Sequence, residues 1–186
     1  MGLLRATIQH KRRVRLLVSG AAPFEEWGSM WSDHFINVRH IPIGHLDHKS
    51  ALELLTRPIP EFPPEALPGA VAQAVWEQCR GQPFLTQLYG SLWVSRLNET
   101  EQRTAGLEAL EAVEARVLQQ GRNYFNDLYH GKTPPAARAV LDALAEGQTP
   151  EPDTQTRRWL ERRLLLNEAG GLNIPVFGRW IREEVL

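Results

Sequence analysis

Residues 80–97 read RGQPFLTQLYGSLWVSRL, and this stretch decides the fold class. Gly81 supplies a stop for a preceding helix. Pro83, with its fixed φ and missing amide donor, suits the first turn of a new one. Beyond it Phe84, Leu85, Leu88, Tyr89, Leu92, Trp93 and Leu97 form an i, i+4 double stripe, the pattern of a helix with one apolar side. Upstream, Ala70, Val71, Ala74 and Val75 carry helical spacing as far as Cys79. The stretch therefore predicts helix, Gly-Pro joint, helix.

Towards the N-terminus, Arg57–Gly69 holds five prolines and reads as a loop. Before it Asp47 caps a helix carrying Ala51, Leu52, Leu54 and Leu55, which Pro58 ends. Gly2–Gln9 reads as the end of a helix. Two β-type runs follow it: Val14–Val18, closed by Ser19-Gly20, and Phe35–Ile43, which Pro42 confines to a strand end or edge. The aromatic connection Phe24–Trp31 makes these a βαβ fragment. Two strands are too few for an independent sheet, so the sheet is expected to continue beyond this chain.

Towards the C-terminus, Thr104–Leu118 carries Leu107, Leu110, Val113 and Val117, with Tyr124, Phe125 and Leu128 continuing past Gly121. The composition breaks at Gly131–Pro135. Thr133 is then the expected cap and Pro134 the expected first residue of a helix bearing Val140, Leu141 and Leu144. After the polar loop Gly147–Asp153 come a basic helix, Thr154–Leu166, a hairpin-type turn at Asn167–Gly171, and a closing helix around Phe177–Val185. Helix, helix, wing and helix describe a small winged-helix domain. The fold class is mainly α with a small β component.

The chain has 186 residues, 42% hydrophobic and 23% charged, with a formal net charge of −1. These values exclude intrinsic disorder. No run approaches the length of a membrane helix, and the basic N-terminus lacks the apolar core and cleavage site of a signal peptide. The single cysteine, Cys79, excludes an internal disulfide framework and fits a reducing compartment, so a cytoplasmic location is expected. Near-neutral charge argues against wholesale nucleic-acid binding. Yet eighteen of the twenty-one basic residues are arginine, with clusters at Lys11-Arg12-Arg13-Arg15 and at Arg157-Arg158 with Arg162-Arg163.

No GxxxxGK[ST] loop occurs, and no apolar strand ends in the acidic pair that would hold magnesium. No GxSxG nucleophile motif is present either. His45 and His48 flank Asp47 at a spacing a metal could use, but without a cysteine partner, and the cap already accounts for Asp47. No metal site and no catalytic residue are assigned.

The order of these parts resembles the C-terminal half of a STAND-class AAA+ ATPase, a signalling group. The elements are a strand ending Val18-Ser19-Gly20, a strand ending Ile41-Pro42-Ile43-Gly44, a helix with Leu54-Leu55 before Arg57-Pro58, the Gly81-Gln82-Pro83 joint, and a winged helix. The resemblance covers essentially the whole chain, and its most specific motif is Gly81-Gln82-Pro83, similar to the family's GxP motif. It implies three parts: residues 1–45 as a remnant of the α/β nucleotide-binding domain, 46–131 as a helical lid, and 132–186 as a winged helix. It places Ser19 at the sensor-1 position, facing the γ-phosphate or the attacking water. Pro83 would sit on the adenine base, with Gly81 allowing close backbone approach.

The family's P-loop lysine and Walker B acids have no counterpart here. ATP or ADP is therefore implied only together with a P-loop half, in this or another chain, and the chain is not expected to be an enzyme by itself. The implied role is nucleotide-dependent switching, with an effector protein or self-association as the contact and no membrane partner. The alternative is a stand-alone winged-helix adaptor or DNA-binding regulator reading DNA through Arg157, Arg158 and Arg162. Glu161 among the arginines, and Glu183-Glu184 after them, favour a solvated or protein-contact face instead.

Overall fold

The computed structural model describes Leu17, Arg39, Ile41, 43–131 and 133–186. Apart from those single positions and Ile43, the expected helix end Gly2–Gln9, both expected strands, Phe24–Trp31, the Lys11–Arg15 cluster and Ser19 lie outside the described residues. Gly44–Leu186 forms one compact unit. Among the described residues it is mainly helical, with eight α-helices and one antiparallel β-bridge.

Helix α1, His48–Thr56, begins where Asp47 accepts a hydrogen bond from the Ser50 amide at 2.7 Å, and it buries Ala51 and Leu55. Arg57, the residue before Pro58, leaves the helical region at φ −149°, as a residue preceding proline must. Helix α2, Gly69–Cys79, buries Val71, Ala72, Val75 and Cys79. Helix α3, Pro83–Glu99, is capped by the Gln82 side chain, which accepts from the Leu85 amide at 2.7 Å. The buried stripe of α3 is Leu85, Thr86, Tyr89, Leu92, Trp93 and Leu97. Phe84 stays exposed and Leu88 half-buried, so the stripe is narrower than expected.

The next helix starts later than Thr104. A 3₁₀ turn at Leu107–Ala109 leads into α4, Leu110–Gln120, with Val113, Glu114, Val117 and Leu118 buried. Short α5, Arg122–Asn126, runs into a π-helical turn, Asp127–Gly131. Thr133 does not cap the helix that follows. Its hydroxyl donates to the Leu128 carbonyl at 2.7 Å, and α6, Pro135–Ala145, starts one residue beyond Pro134.

Helix α7 spans Thr154–Arg162 and stops short of the expected Leu166. Leu164 takes a left-handed φ of 56°, which turns the chain so that Leu165 and Leu166 enter the core. Leu166 then pairs antiparallel with Leu172 around the Asn167–Gly171 turn. Helix α8, Pro175–Glu184, closes the unit.

Buried residues from both sides of position 132 join one core cluster. Phe125 of α5 stacks on Phe177 and Trp180 of α8 at 6.0 and 5.7 Å, and Tyr129 meets Trp180 edge-on at 6.1 Å. Helix α8 packs against α2, α4 and α6. Arg179 of α8 adds ionic contacts to Glu111 (2.7 Å) and Glu114 (3.6 Å) of α4, and to Glu183 of its own helix (2.6 Å). No helix among the described residues is long and apolar enough to cross a membrane.

Candidate functional site

The joint between α2 and α3 is a left-handed turn. Arg80 and Gly81 have φ of 47° and 72°, which lets the Arg80 amide donate to the Trp76 carbonyl at 2.7 Å and the Gln82 amide to the Cys79 carbonyl at 2.9 Å. The segment leading into α1 is pinned to this turn: the Leu46 amide donates to the Gly81 carbonyl at 2.8 Å. A side chain at position 81 would run into the Leu46 carbonyl oxygen and the Trp76 ring. Glycine is thus required both by the backbone angle and by the close approach of two segments.

Around the turn the polar groups are held separately. The half-buried His45 ring hydrogen-bonds the Arg80 backbone, while burial, the larger effect, pushes its pKa below the ordinary value. His48 bonds Gln73 through Nε2 at 2.7 Å and meets the Trp76 ring edge-on. Asp47 is occupied as the α1 cap. The three side chains therefore do not converge, and among the described residues no group of three His, Cys, Asp or Glu could hold a metal ion. Burial also pushes the Cys79 thiol up. Its Sγ lies 3.3 Å from the Thr86 hydroxyl, which makes it a packing residue rather than a nucleophile.

Pro83 lies exposed at the start of α3, with Phe84 beside it 43% exposed. The Phe84 ring sits 4.9 Å from Tyr124. The turn thus offers an apolar, partly aromatic platform suited to a flat ring. Of the three residues the resemblance assigns to nucleotide, Gly81 and Pro83 share this turn, and Ser19 lies outside the described residues.

Arg157, Arg158 and Arg162 are all exposed on α7. The Arg157 guanidinium reaches to within 3.7 Å of where a Cβ on Gly170 would stand, so the helix and the Asn167–Gly171 turn lie side by side. Arg163 turns away and stacks over the Trp159 ring at 4.3 Å. The ionic cluster on Arg179 escaped the sequence reading. Its only local signal is the i, i+4 pair Arg179–Glu183, whereas Glu111 and Glu114 reach it from a distant helix.

No protein-family model, curated protein or solved structure matches this chain.

Proposed function

We propose that this chain is the lid and winged-helix part of a STAND-type signalling ATPase. The observation that carries the reading is the Gly81–Pro83 joint: a glycine locked by φ and by close approach, presenting an exposed proline at the head of α3. Such a joint can meet a base edge without paying for a conformational change, because the Leu46 bond already holds it.

In this reading the P-loop half, in the same or another chain, holds the phosphates of ATP or ADP, and the Gly81–Pro83 turn covers the base. Ser19, at the position the resemblance gives to sensor 1, would report on the γ-phosphate. The two bodies then take different relative orientations with and without nucleotide. Residues 132–186, as a winged helix, pass that change to an effector or to a second copy. Hydrolysis needs the P-loop half, so this chain alone is not the enzyme.

The test supplies a matching P-loop half and measures ADP binding by calorimetry. Pro83→Ala is expected to weaken binding, and unchanged affinity overturns the lid assignment.

A further inference from the structure

We propose that the exposed face of α7, together with the Asn167–Gly171 turn, binds the phosphate backbone of duplex nucleic acid. The inference rests on the C-terminal surface and is independent of the nucleotide reading.

Three arginines leave α7 on one side. At 100° per residue Arg157, Arg158 and Arg162 fall within an arc of roughly 140°, and they span about 7.5 Å along the axis. All three are exposed, and among the described residues none of them makes an ion pair or a hydrogen bond. The acids that could have quenched them are engaged elsewhere: Glu183 binds Arg179, and Glu184 binds Arg122. Glu161 follows Arg157 by four residues, but with the base N-terminal to the acid, which is the weaker order for such a pair. Across residues 154–173 four arginines face two glutamates, Glu161 and Glu168.

The surface is also built to approach a groove. Asp153 caps α7 by accepting from the Gln155 and Thr156 amides, and buried Thr156 and Leu160 anchor its inner side. In the adjoining turn, Asn167 Oδ1 accepts from the Ala169 and Gly171 amides, each at 3.0 Å. The tip Ala169-Gly170-Gly171 carries no long side chain, so backbone can come close to a partner beside Arg157.

Two features favour a nucleic-acid phosphate over an acidic protein. The fully exposed positions of α7 are Thr154, Gln155, Arg157, Arg158, Glu161 and Arg162, all polar. Half-buried Trp159 is covered by the Arg163 guanidinium, and Leu164 beyond the helix end is the one exposed apolar side chain of residues 154–166, less than the apolar centre a protein interface is built on. The basic residues are all arginine, whose planar fork takes phosphate oxygens bidentately. A convex helix flanked by a short turn matches the major groove and its bordering backbone.

The test is fluorescence anisotropy of the full chain with a labelled random-sequence DNA duplex, titrated between about 50 and 200 mM salt. Binding is expected to weaken with salt by about 0.9 in log–log slope per phosphate contact. The triple variant Arg157→Ala/Arg158→Ala/Arg162→Ala should flatten that slope by about 2.7. Arg157→Lys/Arg158→Lys/Arg162→Lys, which keeps the charge, should retain most of it, and circular dichroism of both variants should match the parent. Three outcomes overturn the proposal. One is no salt-dependent binding, and another is an unchanged slope in the alanine variant. The third is displacement of the duplex by polyglutamate at equal charge concentration, which assigns the face to an acidic protein.

Discussion

A methyl group added at Gly81 would meet the Leu46 carbonyl oxygen, and would stand 2.6 Å from the Trp76 ring on a backbone at φ 72°. Gly81→Ala is therefore expected to cost at least about 2 kcal/mol, combining the left-handed penalty with the clash. Gly90 gives the contrast. It lies inside α3, where a Cβ meets only Leu55 Cδ2 at an ordinary 3.5 Å. Gly90→Ala should stabilise by about 0.5–1 kcal/mol, and urea midpoints of the two variants check both signs. The sequence marks Gly81 as a helix stop, but the pinning by Leu46 was not legible, because it joins residues that no local pattern connects. Glu114 is a second hidden residue. It is an apparent surface acid that packs inside, and burial, partly offset by Arg179, holds its carboxyl above the ordinary 4.5. A raised folded-state pKa favours folding fully below the unfolded value, and that contribution is lost as pH rises through the folded value. Glu114→Gln should make the fall in stability above about pH 4.5 shallower, while Arg179 keeps Glu111 and Glu183 as partners. Denaturant midpoints taken at acid and neutral pH give the answer.

The helices themselves were largely readable, since capping and breaking residues act over a few positions. Asp47 starts α1 and Pro83 opens α3 as their sequence signals imply, whereas the caps from Gln82 and Asp153 emerge only with the structure. Asp153→Ala should remove two amide acceptor contacts and the 2.7 Å bond from the Thr156 hydroxyl, lowering the melting temperature by a few degrees. Its carboxyl is held below the ordinary range by the Thr156 amide first of all. The cap thus contributes above the unfolded value and is lost as pH falls through the folded one, so wild type and variant should converge in acid. Where the reading failed, a tertiary contact decided. The leucine run 164–166 extends the helical period of α7 on paper, yet burial of Leu165 and Leu166 and the bridge to Leu172 pull it out of the helix. Phe84 fits the stripe of α3 by spacing and still faces outward, resting on Tyr124.

At the scale of the whole unit, the aromatic stack Phe125–Phe177–Trp180 joins the segments before and after position 132. A composition break was visible there, but the partner of each aromatic side chain was not. Gly44–Leu186 should therefore unfold in one transition, with tryptophan fluorescence and helical circular dichroism superimposing. Trp180→Ala, at a side chain 1% exposed, should cost about 3–5 kcal/mol and shift both signals together. Two separated transitions would show that the segments before and after position 132 are energetically distinct. Cys79 gives an independent gauge of the same event. Its thiol is fully buried and pushed up by its surroundings, so a thiol reagent should modify it only as the chain opens.

The bond from the Leu46 amide to the Gly81 carbonyl has a kinetic consequence. The hydrogen on that nitrogen trades with deuterated solvent when the bond between the two segments opens, so one exchange rate clocks the separation of the turn from the segment leading into α1. A compound resting on Pro83 would slow this clock without touching Leu46. Occupancy of the α2–α3 joint can thus be followed from a single peptide at the other end of the bond.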